Sequence, residues 1–126
     1  MSKNILLIAT NHDRLGATSK PTGVWLEELA APYFAFINAG YDVVIVSPAG
    51  GEIAIDPASK DSDALTADAE RFMNDKTLKG LLKNTKSVTD VHPNDFDAVF
   101  FAGGHGTVWD FADDGPVTRL VEQFAW

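Results

Sequence analysis

The stretch Val24–Ser47, VWLEELAAPYFAFINAGYDVVIVS, decides the fold. Its first part, Val24–Ala39, places Trp25, Leu29, Pro32, Tyr33 and Phe36 at the i, i+4, i+7, i+8, i+11 spacing of one helical stripe. Gly40 stands where a helix ends in the left-handed conformation that glycine adopts most easily. Tyr41–Ser47 is then apolar without alternation, the pattern of a strand covered on both faces of a parallel sheet. Upstream, Asn4–Thr10 carries the same pattern in Ile5, Leu6, Leu7 and Ile8. Strand, helix, glycine and strand spell a βαβ unit, whose crossover is right-handed.

Outward from this unit, Asn11–Gly23 is a polar loop punctuated by Gly16, Ser19, Pro21 and Gly23. Pro48–Pro57 is turn-rich, with Gly50-Gly51 and a short extended piece over Glu52–Ile55. Helices are predicted over Asp61–Asn74 and Thr77–Asn84, an extended piece over Ser87–Val91, and a turn at Pro93-Asn94-Asp95. Phe96–Ala102 is the third apolar strand, and Gly103-Gly104-His105-Gly106 a glycine turn. Helical starts follow at Thr107–Ala112 and from Pro116, a residue suited to the first helical position, to Trp126. Three parallel strands separated by helices predict an open, flavodoxin-like α/β sandwich of three layers. Ligands in such sheets bind outside the carboxyl ends of the strands. Any site should therefore draw on the loops Asn11–Gly23, Ser47–Pro57 and Gly103–Thr107.

The chain has 126 residues, the size of one domain. Ten Lys and Arg against eighteen Asp and Glu leave a formal charge of −8. That balance excludes the basic stripe of a nucleic-acid binder. With no cysteine, these residues hold no disulfide, no thiolate metal site and no cysteine nucleophile. No apolar run approaches the ~18 residues of a membrane span. The apolar run Ile5–Thr10 is too short for the core of a signal peptide. The expectation is a cytoplasmic protein with no membrane partner.

Two carboxylates stand out. Taking the apolar stripe of the first helix as centred on Trp25 and Phe36, Glu27 falls about 180° away, in solvent, and Glu28 about 80° away, on the border of the buried face. Pro32 lacks an N–H, so the Glu28 carbonyl loses its i+4 donor and a distortion is expected there. A border carboxylate beside such a distortion is suited to giving or taking a proton. The plainer reading is a half-exposed helix Glu. In the glycine turn, backbone amides can approach a ligand as in an oxyanion hole, or the glycines serve a tight strand-to-helix turn. It is not a dinucleotide fingerprint, because Trp109 stands where the third glycine would be, and no Lys follows as in a P-loop. His105 is a candidate ligand or acid/base group, but His12, His92 and His105 have no metal-site spacing and read as loop or turn residues. There is no Gly-x-Ser-x-Gly elbow. The residues alone supply parts of a site and no nucleophile.

Several segments together resemble the ThiJ/PfpI superfamily, along nearly the whole chain. They are the Ile5–Thr10 strand, Thr22-Gly23-Val24-Trp25-Leu26-Glu27-Glu28 through Pro32, and Ala39-Gly40-Tyr41-Asp42-Val43. They continue with Val46-Ser47-Pro48-Ala49-Gly50-Gly51, Ile55-Asp56-Pro57 with Ser59, and Phe96-Asp97-Ala98-Val99 leading to Gly103-Gly104-His105-Gly106 with Trp109-Asp110. The glycine-turn form is similar to the branch of intracellular proteases/amidases, glutathione-independent glyoxalases and holding chaperones. The resemblance implies a glutamine-amidotransferase-like fold; no cofactor and no metal are expected. It implies that Glu28, four residues before the helix Pro, hydrogen-bonds a nucleophilic Cys, and that Gly104 gives an oxyanion-hole amide.

In the family a strand and a Cys-His turn follow the helix after this glycine turn, whereas here the sequence ends at Trp126. The expectation is one incomplete ThiJ/PfpI-type domain over residues 1–126, truncated before the nucleophile strand. Two functions are implied. Intact relatives would act on small aldehydes or on amide bonds in peptides through a Cys thiolate, with this chain inactive. Alternatively the chain is a non-enzymatic, chaperone-like or self-associating scaffold. The resemblance also implies that the strand carrying the nucleophile pairs with the outer edge of Phe96–Ala102; with that neighbour missing and the apolar end Phe124-Ala125-Trp126 uncovered, a homo-oligomer is expected. Glu28 is expected near the Gly103-Gly104 turn, with Glu27 in solvent.

Overall fold

The computed structural model describes residues 3–11, 14–15 and 20–103. A four-stranded parallel sheet organises them. Its strands are β1 (Asn4–Ile8), β4 (Asp42–Ser47), β5 (Lys86–Ser87) and β6 (Ala98–Phe101), in the order β5-β4-β1-β6. Leu6 of β1 lies opposite Val44 of β4 on one side and Val99 of β6 on the other. β1 is therefore the central strand, and its Ile5–Ile8 are all buried. This is why its sequence shows no alternation: a parallel strand with both faces covered has no polar side.

The two faces are unequal. Leu7 and Ile45 point into the larger cluster with Leu26, Leu29, Ala30 and Phe34 of α1 (Leu26–Asn38), and with Phe72 of α2 (Ala67–Met73) and Leu78 and Leu82 of α3 (Lys76–Lys83). Leu6, Ile8, Val46 and Val88 form the smaller cluster on the opposite face. Phe72 is the largest fully buried side chain and meets Phe34 and Tyr33 edge to face. The chain has the α/β, flavodoxin-like fold expected from the sequence.

Helix α1 ends as its glycine predicted. Gly40 has φ +86°, the Tyr41 N–H donates to the Phe36 carbonyl (3.0 Å) and the Gly40 N–H to that of Ile37 (3.0 Å). This is a Schellman motif, and the Phe36 and Tyr41 rings stack across it. Pro32 lies inside α1, and the helix continues through it to Asn38.

Three expectations are corrected. The helix over Asp61–Asn74 is only Ala67–Met73. Thr66 caps it by accepting from the Ala69 N–H (3.1 Å), while Pro57–Lys60 form a separate 3-10 turn capped by Asp56. Ser87–Val91 is not a strand: β5 stops at Ser87, whose hydroxyl and Asp90 form a capping box for a 3-10 turn over Val88–Asp90. The loop Asn11–Gly23 contains two short antiparallel strands, β2 (Arg14–Leu15) and β3 (Lys20–Pro21). The expected helices beyond residue 106 lie outside the described residues. No helix among the described residues is long and apolar enough to cross a membrane.

Candidate active site

The start of α1 is fixed from two directions. Val24 pairs with Ile55: its N–H donates to the Ala54 carbonyl (2.9 Å), and its carbonyl accepts from the Asp56 N–H (2.9 Å). Buried Asp56 accepts from the Thr22 hydroxyl (3.2 Å). Gly23 is required at this crossing, because a Cβ there would stand 2.3 Å from the Ala54 carbonyl oxygen. On the other side, the Trp25 N–H donates to the Gly103 carbonyl (2.9 Å), just beyond the carboxyl end of β6.

This framework carries Glu28 to the end of the sheet. Its carboxylate lies against the Cα of Gly103, so close that a Cβ on Gly103 would stand 2.6 Å from Oε2. The two residues border an open cleft of about 280 Å³, also lined by Glu27, Ala31, Pro32, Phe100 and Phe101. The apolar walls leave carboxylates as the charged groups among its described lining residues. A carboxylate at the open rim of an apolar cleft can exchange a proton with a small polar molecule that enters it.

The exposures of the two glutamates are the reverse of the expected ones. Glu28 is exposed, whereas Glu27 is half-buried and accepts a hydrogen bond from the Thr66 hydroxyl. The helical geometry explains the exchange. Counting from Leu26 at about 100° per residue, Leu29, Ala30 and Phe34 all fall within about 80° of it. These are the residues buried against the sheet and α2. Trp25, Pro32 and Phe36 form a second stripe about 100° to one side, half-buried and bordering β6, where Phe36 meets Phe100 edge to face at 5.9 Å. Glu28 belongs to the margin of that second stripe, and Glu27 faces α2. The proximity of Glu28 to Gly103 was nevertheless as expected.

Of the other candidates, Gly104 and His105 lie outside the described residues, as does His12, while His92 is exposed beside a 3-10 turn. No group of three or more His, Cys, Asp or Glu able to hold a metal ion occurs among the described residues. Sequence reasoning missed the Thr66–Glu27 link and the demand on Gly23; each depends on a partner far away in the chain. It also missed Tyr33, whose phenol is pushed above its ordinary 10.0 by burial and then by the negative charge of Asp75.

The fold has close counterparts. The crystal structure of Rapid Encystment Protein 24 kDa from Francisella tularensis superposes with a TM-score of 0.90 at 40% identity, over 97% of this chain and 53% of that one. Glyoxalase 3 of Candida albicans is 33% identical over 123 residues, 96% of this chain and 52% of its own length. The chain belongs to the ThiJ/PfpI superfamily. Another ThiJ/PfpI relative, the glutathione-independent glyoxalase HSP31 of Saccharomyces cerevisiae, is 30% identical over 112 residues, covering 86% of this chain and 47% of that protein. No family model matches the sequence. The chain spans about half the length of the curated relatives it matches.

Proposed function

We propose that these residues supply the carboxylate side of a ThiJ/PfpI site acting on small aldehydes such as methylglyoxal, with the thiol supplied from outside residues 1–126. The observation that carries this reading is the Glu28 carboxylate seated against Gly103 at the mouth of an apolar cleft. The names of the relatives, glyoxalase and glutathione-independent glyoxalase, support the substrate class. A thiolate sulfur bonds to the aldehyde carbon and the carbonyl oxygen becomes an oxyanion. The Gly104 amide holds that oxyanion, Glu28 passes the proton, and His105 is the second acid/base candidate. With no cysteine in the sequence, the chain alone is inactive. Its place is the cytoplasm.

Methylglyoxal consumption tests this. The chain alone is expected to give background. A fusion in which it replaces the matching half of Candida albicans Glyoxalase 3 is expected to turn over, and Glu28→Gln to slow the fusion by about 100- to 10,000-fold. Turnover by the chain alone, or a fusion indifferent to Glu28→Gln, overturns the proposal.

A second reading, a self-associating or chaperone-like scaffold, is favoured by β6. No described strand pairs with its outer edge, and Phe100 is 37% exposed. A bare apolar edge is a template for another strand. Sedimentation over a dilution series should show a homo-oligomer, with an interface above about 1,000 Å²; a monomer at high micromolar concentration rejects it.

A further inference from the structure

We propose that Gly103 is a positioning residue for Glu28: the missing side chain at 103 is the seat of the carboxylate. The inference rests on the reading of Glu28 as the proton-handling group and adds what holds that group in place. A Cβ at Gly103 would stand 2.6 Å from Oε2 and 2.9 Å from both Cδ and Oε1 of Glu28. Carbon does not approach a carboxylate so closely, so one side must move.

The backbone is held at both ends of the contact. The Ala102 N–H donates to the Ile8 carbonyl (2.9 Å), which ties the end of β6 to the central strand. The Gly103 carbonyl accepts from the Trp25 N–H (2.9 Å) at the start of α1. Trp25 and Glu28 are three residues apart and share a side of the helix. Gly103 is thus clasped between the amide of one and the carboxylate of the other. Shifting its backbone would break the Trp25 bond; swinging the exposed Glu28 side chain breaks no hydrogen bond among the described residues and gives up only its packing on Gly103. An alanine at 103 therefore leaves the fold standing and displaces the carboxylate from its seat.

The contrast with Gly23 sharpens the assignment. There the atoms met by a Cβ are the backbone of Ala54 and Asp56, which cannot turn aside. At Gly103 the atoms met are the movable end of one side chain. The two glycines look alike in sequence and do different work: one lets two backbones cross, the other lets a carboxylate lie on the end of a strand.

A double-mutant cycle on the full chain tests this, read by thermal unfolding and by NMR. In the wild type, cross-peaks should connect the Glu28 γ protons with the Gly103 α protons. In Gly103→Ala these are lost, while Glu27, held by Thr66, keeps its contacts. The variant's Tm falls by about 4 °C or less. In the Glu28→Ala background, adding Gly103→Ala lowers Tm by clearly less than it does in the wild type, because the clashing carboxylate is gone. Equal losses in both backgrounds, or a Glu28 cross-peak to residue 103 that survives Gly103→Ala, overturn the proposal. An unfolded Gly103→Ala that Glu28→Ala does not rescue overturns it as well. These readouts involve no turnover, so Gly103 can be shown to seat Glu28 even if the fusion proves indifferent to Glu28→Gln.

Discussion

Replacing Gly23 by Ala drives a methyl group into the backbone of the Ala54–Asp56 segment. The new carbon would stand 2.3 Å from the Ala54 oxygen, 2.6 Å from its carbonyl carbon and 3.0 Å from the Asp56 nitrogen. Ordinary contacts begin near about 3.5 Å, so the two segments must part by roughly 1 Å. Two hydrogen bonds span that gap, Val24 N–H to Ala54 and Asp56 N–H to Val24, each 2.9 Å long. Both attach to Val24, which is fully buried, so water does not readily replace them. Leaving such groups unpaired costs about 1–3 kcal/mol each. Partial relaxation reduces the sum to a net loss of about 2–4 kcal/mol. For a domain of this size that is a fall in Tm of roughly 8–16 °C, against a total stability of about 5–15 kcal/mol. Urea and thermal unfolding followed by far-UV circular dichroism measure it. A loss below about 1 kcal/mol would show that the crossing can open freely and that the steric argument is wrong.

Gly80→Ala should act in the opposite sense: Gly80 is exposed within α3 with nothing within 4 Å of a new Cβ, so stability should rise by about 0.5–1 kcal/mol in the same unfolding assay. Thr66→Val removes both the cap of α2 and the donor to Glu27, and should cost about 1–2 kcal/mol by urea unfolding. Tyr33 has a raised folded-state pKa, so the stability it contributes is complete below its ordinary 10.0 and is lost as pH rises past that value towards the folded one. Thermal unfolding between pH 8 and 11 should show a smaller alkaline decline in Tyr33→Phe than in the wild type.

The strands β1, β4 and β6 were legible as unbroken apolar runs; in β1 this follows from burial on both faces, whereas in β4 only Ile45–Ser47 are buried and in β6 the side chains are half-buried or exposed. The end of α1 was legible because Gly40 and the Phe36–Tyr41 pair form a local motif. The orientation of α1 was not. Two apolar stripes about 100° apart share that helix, and periodicity does not say which one meets the sheet; choosing the Trp25–Phe36 stripe exchanged Glu27 and Glu28. β5 is two residues long and carries no pattern at all. The true start of α2 was hidden because Leu65 and Ala69 keep helical spacing across the Thr66 cap. The nearness of Glu28 to Gly103 was legible from Pro32 and the ThiJ/PfpI segments, while the wheel that set Glu28 on the border of the buried face exchanged its exposure with that of Glu27. The seats of Gly23 and Gly103 could not be read, because each is defined by atoms that only the fold brings near.

The central position of β1 sets a timetable. Its β6 partner is joined to it by ties spanning nearly the whole described chain: the Asn4 N–H donates to the Asp97 carboxylate (2.8 Å), and the Asp97 N–H to the Asn4 carbonyl (2.8 Å), across a separation of 93 residues. At ribosomal speeds of about 5–20 residues per second, that partner is synthesised about 5–20 s after β1 itself. Pairing with β4 becomes available earlier, so for several seconds the most apolar strand of the nascent protein is closed along one edge and open along the other. Such non-local parallel pairing is slow to form, and the wait exposes Leu6, Leu7 and Ile8 to whatever else in the cell seeks an unpaired strand.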